Sequence, residues 1–310
     1  MPDGLSLIWP WNPGAIILLL VLCLLYLLGL RPARLRHSQD RPFLADRLSA
    51  ASGCSSPIHR GSVGGLNSKP VKTRQIVCFF SAIVIAALVL LTPIDTIGST
   101  QLFVVHMFQL VVLTTLCTPL LIFGCSEALL QPLVELPVVR NVVRIFTQPL
   151  VASILFNVTF LLWHAPRFYD ATIGNASLYH AQVLTIFVLS WLNWWPLIGS
   201  VKQLRHMSYP LQMLYAFFDG QPVDIFAFIL VFTGVPIYSH YVIPPQLGLS
   251  AFADQAAGGA LLLIPGLVDL VVMSPLFFRW LGQIEQRTRL ADEHRQEEEI
   301  ELVHLEKQEL

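Results

Sequence analysis

Seven long runs of mainly apolar residues, at 14–30, 75–92, 102–123, 149–164, 178–198, 211–237 and 256–278, decide what this chain can become. A hydrocarbon core of about 30 Å takes about 20 residues of helix, and each run is near that length. β-Barrel strands would instead show short alternating segments. The composition agrees: 55% of the residues are hydrophobic and 13% charged, against roughly 25% charged in soluble domains. The expected class is all-α, a polytopic membrane protein of about seven transmembrane helices.

Lys and Arg give these runs a direction. Nine fall in 31–74, two (Arg140, Arg144) after the third run, two (Lys202, Arg205) after the fifth and five after the seventh. With seven spans these 18 of the chain's 19 basic residues share one side, and Arg167 alone lies opposite. The N-terminus is therefore expected outside and the C-terminus in the cytoplasm. Four parts follow: 1–30, an N-terminal span without a basic n-region, followed by Arg31, Arg34 and Arg36; 31–74, a Ser/Gly/Pro/Arg-rich cytoplasmic linker; 75–280, a six-helix membrane core; and 281–310, a charged tail expected to continue the last span as a solvated helix. The stretch 127–146 is expected to lie along the inner interface, interrupted by prolines, and "WLNWWPLIG" (191–199) to form an aromatic belt there. "DGQP" (219–222) is expected to break the sixth span.

Polar residues gather at the other ends of the runs. His106, Met107 and Gln109 open the third; His164 closes the fourth; His180 opens the fifth; His240 follows the sixth; Asp254 and Gln255 precede the seventh. Ionisable groups near membrane depth are costly, so repetition at one level points to a site. Imidazole suits copper, zinc or iron, and a thioether favours Cu(I). The candidate metal ligands are His106, His164, His180 and Met107. Gln109 is the candidate to steady a histidine's second nitrogen, and Asp254 to cap the last span, where Gly258 and Gly259 allow close helix approach. Taken singly, each histidine also reads as a helix anchor at the interface, and His240 more as a structural residue. Asp219 and Asp224 lie within the sixth span, with no partner visible in the sequence. The five cysteines form no CxxC pair, and Cys117, about 16 Å of helix from His106, is core. No phosphate loop, Ser–His–Asp set or CxxCH haem motif occurs, and no nucleic-acid partner is expected.

The pieces "TPIDTIGSTQLFVVHMFQL", "CTPLLIFG", "LLWHAPRFYDATIGNASLYHA", "LNWWPLIGS", "LYAFFDGQPVDIFAFILVFTGVPIYSHY" and "DQAAGGALLLIPGLVDLV" together resemble the seven-span CtaG-type proteins linked to assembly of caa-type cytochrome c oxidase. The resemblance covers about 75–285. It implies a non-enzymatic accessory factor in the bacterial cytoplasmic (inner) membrane. Its implied partners are cytochrome c oxidase subunits and lipid, and its implied ion is copper, handled at the extracytoplasmic face. His106, Gln109, His164, His180 and Asp254 match the family pattern. The family's second histidine is replaced by Leu110, and a Glu–His pair by Val183 and Leu184. A metal-free scaffold of an oxidase or related electron-transfer complex is the alternative, which the lost ligands favour. A diiron hydroxylase would need more histidines, in HxxH spacing, on the cytoplasmic side.

One fusion tests the direction. A reporter joined after Leu310 is expected to be active only in the cytoplasm, and activity in the extracytoplasmic space would invert the topology.

Overall fold

Lipid supplies no hydrogen-bond partners, so each apolar run must satisfy its own backbone, and the helix does so. The computed structural model describes residues 5, 7–39, 71–127, 129–130, 137–200, 207–238 and 240–308. Among these the chain forms α1 (Pro13–Gln39), α2 (Thr73–Leu90), α3 (Pro93–Thr100), α4 (Phe103–Val111), α5 (Thr118–Gly124) and α6 (Pro137–Phe146). There follow α7 (Pro149–Trp163), α8 (Pro166–Ile173), α9 (Ala176–Ile198), α10 (Tyr209–Phe232), α11 (Ala251–Leu262) and α12 (Ile264–Gln308). Among the described residues six helical stretches are long and apolar enough to cross a membrane, or seven if the bent pair α6–α7 makes one crossing.

The bend has a local cause. Pro149 restricts Gln148 to extended backbone (φ −63°, ψ 134°), and α6 and α7 meet at 68°. α6 is amphipathic, the form expected for the stretch 127–146, of which residues 128 and 131–136 lie outside the described set. α1 runs on to Gln39, beyond the expected span end. Most of the expected linker, 40–70, lies outside the described residues, as do Lys202 and Arg205. The charged tail continues the seventh span as α12, which reaches Gln308.

The third span is one rod of three parts: α4, a π-helical segment (Val112–Cys117) and α5. A π segment widens the helix and misaligns carbonyls, and side chains meet them here. Trp194 Nε1 donates to the Thr114 carbonyl at 2.8 Å, and Thr118 Oγ1 to that of Leu113 at 3.0 Å. Thr118 also pairs with Ser190 on α9 at 2.7 Å. This corrects the aromatic belt: Trp195 is buried, and Trp194 turns into the bundle to bind the π segment rather than the interface.

Two further expectations are corrected. α10 passes unbroken through Pro222; the ring removes one N–H, and Gln221 Nε2 donates to the neighbouring Phe217 carbonyl at 3.1 Å. The helix stops instead at Phe232, followed by Gly234 in the left-handed region (φ 72°). Asp254 does not cap its own helix, because Ser250 Oγ already accepts from Ala253 N at 3.1 Å. Its carboxylate accepts from Phe103 N (2.7 Å) and Val104 N (3.1 Å), capping α4 from across the bundle.

Gly258 and Gly259 let α11 lie against α4 and α10, as expected. A Cβ at Gly258 would fall 2.5 Å from the Phe103 ring, and that ring cannot retreat because it stacks on Tyr238 at 4.8 Å. Gly258→Ala is expected to cost about 1–3 kcal/mol, read as a lower thermal midpoint in detergent. Gly174→Ala, which meets open space, should leave the midpoint unchanged.

Candidate functional site: a buried histidine pair held by a hydrogen-bond chain

One end of the bundle collects α3, the start of α4, the end of α7, α8, the start of α9 and the loop residues 233–238 and 240–250. Asp95 lies in the first turn of α3, whose Thr92 cap accepts from Ile94 N. It is buried, with a carboxylate that takes two side-chain donors: Gln109 Nε2 on Oδ1 at 2.8 Å and His180 Nε2 on Oδ2 at 3.0 Å. Gln109 Nε2 also donates to the Val89 carbonyl at 2.8 Å. Both its protons are thereby used on groups that only accept, which fixes the amide's orientation.

The rest follows from counting protons. Gln109 Oε1 must accept, so the Tyr179 hydroxyl donates to it at 2.7 Å. That hydroxyl has one proton, so toward His106 Nδ1, 3.1 Å away, it must accept. His106 therefore carries its proton on Nδ1 and exposes a lone pair on Nε2. His164 reaches the same tautomer by a shorter route: its Nδ1 lies 2.7 Å from the Phe160 carbonyl, which can only accept. The two rings are buried side by side, centroids 5.8 Å apart and tilted by 36°. Neither Nε2 has a hydrogen-bond partner among the described residues. A pair of unsatisfied buried lone pairs is unusual in a folded chain and is the state in which imidazole binds a metal.

An aromatic roof closes the pair. Tyr169 of α8 lies 5.7 Å from His106 and 5.6 Å from His164 between ring centroids. Tyr238 donates to the His164 carbonyl. Tyr241 donates to the Gly98 carbonyl at 3.1 Å and accepts from Tyr169. Burial raises the phenols of Tyr169, Tyr238 and Tyr241, so the roof stays neutral. Gln255 holds the loop in place. Its Oε1 accepts from Ile237 N (2.5 Å) and Tyr238 N (3.3 Å), while its Nε2 donates to the carbonyls of Leu230 (3.2 Å) and Val235 (3.3 Å).

Of the candidate ligands, the structure brings His106 and His164 together. His180 is drawn to Asp95 instead and stays 19% exposed at its side chain. Met107 is buried with its Cγ 3.1 Å from the point where a Gly258 Cβ would sit, so it faces α11; adjacent helical residues do not share a face. Gln109 reaches His106 only through Tyr179. His240 is exposed and pairs with Asp170 at 3.0 Å. Leu110 and Val183, where the family pattern has polar residues, are buried. Among the described residues no three His, Cys, Asp or Glu side chains converge as a metal site. Asp95 and Tyr179 were missed in the sequence. Asp95 reads there as an ordinary first-turn acid after Pro93, and Tyr179 is hidden beside the more obvious His180.

Tyr179→Phe removes only the bridging oxygen, leaving Gln109 Oε1 and His106 Nδ1 unpaired. The expected loss is about 1–3 kcal/mol for each stranded group, seen as a lowered unfolding midpoint in detergent. No change would mean that the chain from Asp95 to His106 is not formed.

No curated protein and no solved structure matches the chain. The profile of one family, described as cytochrome c oxidase caa3 assembly factor (Caa3_CtaG), matches residues 58–283, a range that takes in Asp95, Gln109, Tyr179 and both members of the histidine pair. By that match the chain belongs to the caa3-type cytochrome c oxidase assembly factors.

Proposed function

We propose that this multi-pass assembly factor carries copper as cargo for the oxidase, at the extracytoplasmic face of the bacterial cytoplasmic membrane, without catalysing a reaction. What supports this reading is the His106–His164 pair, two neighbouring neutral imidazoles with their Nε2 lone pairs free. Two nitrogen donors in a water-poor pocket suit Cu(I), which accepts low coordination numbers and imidazole ligands. Asp95, Gln109 and Tyr179 hold the His106 proton on the far nitrogen, and the Phe160 carbonyl does the same for His164. The tyrosine roof excludes water. His180, tied to Asp95 and partly exposed, sits where an incoming ion or a partner protein would meet the chain. The distribution of Lys and Arg supports the extracytoplasmic placement.

The test is metal content. Chain purified from copper-replete cells is expected to hold about one copper, and His106→Ala/His164→Ala none. His180→Ala should retain the ion, because that ring is not in the pair. Copper that persists in the double variant would place the ligands elsewhere.

The lack of a third converging ligand among the described residues favours a second reading, a metal-free scaffold for oxidase subunits. In that case purified chain would lack copper, zinc and iron yet bring oxidase subunits through gentle detergent.

A further inference from the structure

A second polar site lies deeper in the bundle, built from residues that the histidine pair does not use. α10 contributes Asp219 and Asp224, and α12 contributes Asp269; all three line one cavity together with Asn193, Thr114 and Thr115. About 60 Å³ of that cavity admits the centres of water-sized molecules, room for about four waters. No Lys, Arg or His lines it among the described residues.

Donors are in short supply there. Asp219 is well served: Asn157 Nδ2 reaches Oδ1 at 3.1 Å and Asn193 Nδ2 reaches Oδ2 at 2.5 Å. Tyr215 spends its proton on Asn193, 2.8 Å from both its carbonyl and its Oδ1. Asp224 and Asp269 have no hydrogen-bond donor among the described residues. They face each other across the α10–α12 seam in a reciprocal way. Asp269 Oδ2 lies 3.1 Å from the position of a Gly220 Cβ, and Asp224 Oδ2 lies 3.3 Å from that of a Gly266 Cβ. Each carboxyl thus occupies the gap left by the other helix's glycine. A further observation points to the missing species. Asn157 is buried, its amide lies against Asp219, and its Oδ1 has no partner. A group of acceptors that leaves even a carboxamide oxygen unmet is short of protons.

We propose that Asp219, Asp224 and Asp269 form an intramembrane proton-binding site, with Asp219 held as the carboxylate and the bound proton carried at the Asp224–Asp269 seam. A proton needs no coordination shell, which fits carboxyls that do not converge as metal ligands. It also removes the cost of facing ionised carboxylates in a low-dielectric medium. The polar groups that line the cavity are Asp219 and Asp224 from α10, Asp269 from α12, Asn193 and Trp194 from α9, and Thr114 and Thr115 from the π segment, with Asn157 of α7 behind Asp219 and Tyr215 of α10 behind Asn193. None of them supplies a positive charge. Proton binding therefore holds α10 against α12, and rising pH loosens the seam.

Infrared pH-difference spectroscopy on the full chain in lipid nanodiscs tests this. Wild type is expected to show the carbonyl stretch of a protonated carboxyl near neutral pH, and Asp269→Asn to lose it. Absence of the band from wild type, or its survival unchanged in Asp269→Asn, would overturn the proposal. The thermal midpoint gives a second readout. Between about pH 5 and pH 8 it should fall for wild type, because the folded state holds the proton more tightly than the unfolded chain. It should be flat for Asp224→Asn/Asp269→Asn, and parallel curves for the two would also refute the site. Both measurements are independent of copper.

Discussion

A carboxylate buried beside lipid persists only where donors meet its oxygens. Asp95 meets that condition with one donor from the third span and one from the fifth, Gln109 and His180. The two bonds tie α3, α4 and α9 together and define the direction of every hydrogen bond that follows. Gln109 cannot turn over, so Tyr179 cannot reverse, so His106 cannot move its proton to Nε2. The protonation state of a ring two hydrogen bonds away from Gln109 is thereby set by an acid that never touches it. Such remote control of an imidazole is the usual task of groups that lie behind a metal ligand.

The histidine pair and the acidic cavity share a wall. Phe160 stacks on His164 with centroids 4.3 Å apart, and the same ring lines the cavity, as does Leu110, one turn along the helix from His106. The polar groups of the third span change character across this wall, from imidazole to hydroxyl. The π segment begins one residue past α4 and turns Thr114 and Thr115 toward the cavity while Trp194 occupies the carbonyl it releases. Neutral imidazole nitrogens therefore lie on one side of Phe160 and carboxyl and hydroxyl oxygens on the other.

The helices and the level of the histidines were legible because hydropathy and the run of charges are properties of single segments. Partnerships between segments were not. Asp254 looked like the cap of its own helix, yet Ser250 does that work and frees Asp254 to cap α4. Pro222 looked like a break, but the loss of one N–H is tolerated within a continuous α10. Asp269 is inconspicuous in the apolar run "LVDLVV", since its significance depends on Asp224 facing it from another helix. Helix packing order decides the cases of Asp254 and Asp269, and local periodicity does not contain it.

The short α7 has a consequence for the surrounding lipid. Its 15 residues cover about 22 Å, roughly 8 Å less than a typical hydrocarbon core, and the 68° elbow at Gln148 directs α6 sideways rather than onward. A bilayer crossed by α7 alone must thin along this flank, or its head groups must sink along the outer side of α7. Either response costs fractions of a kcal/mol per ångström of mismatch. A chain with so short a crossing helix fits a thin patch of bilayer better than a thick one.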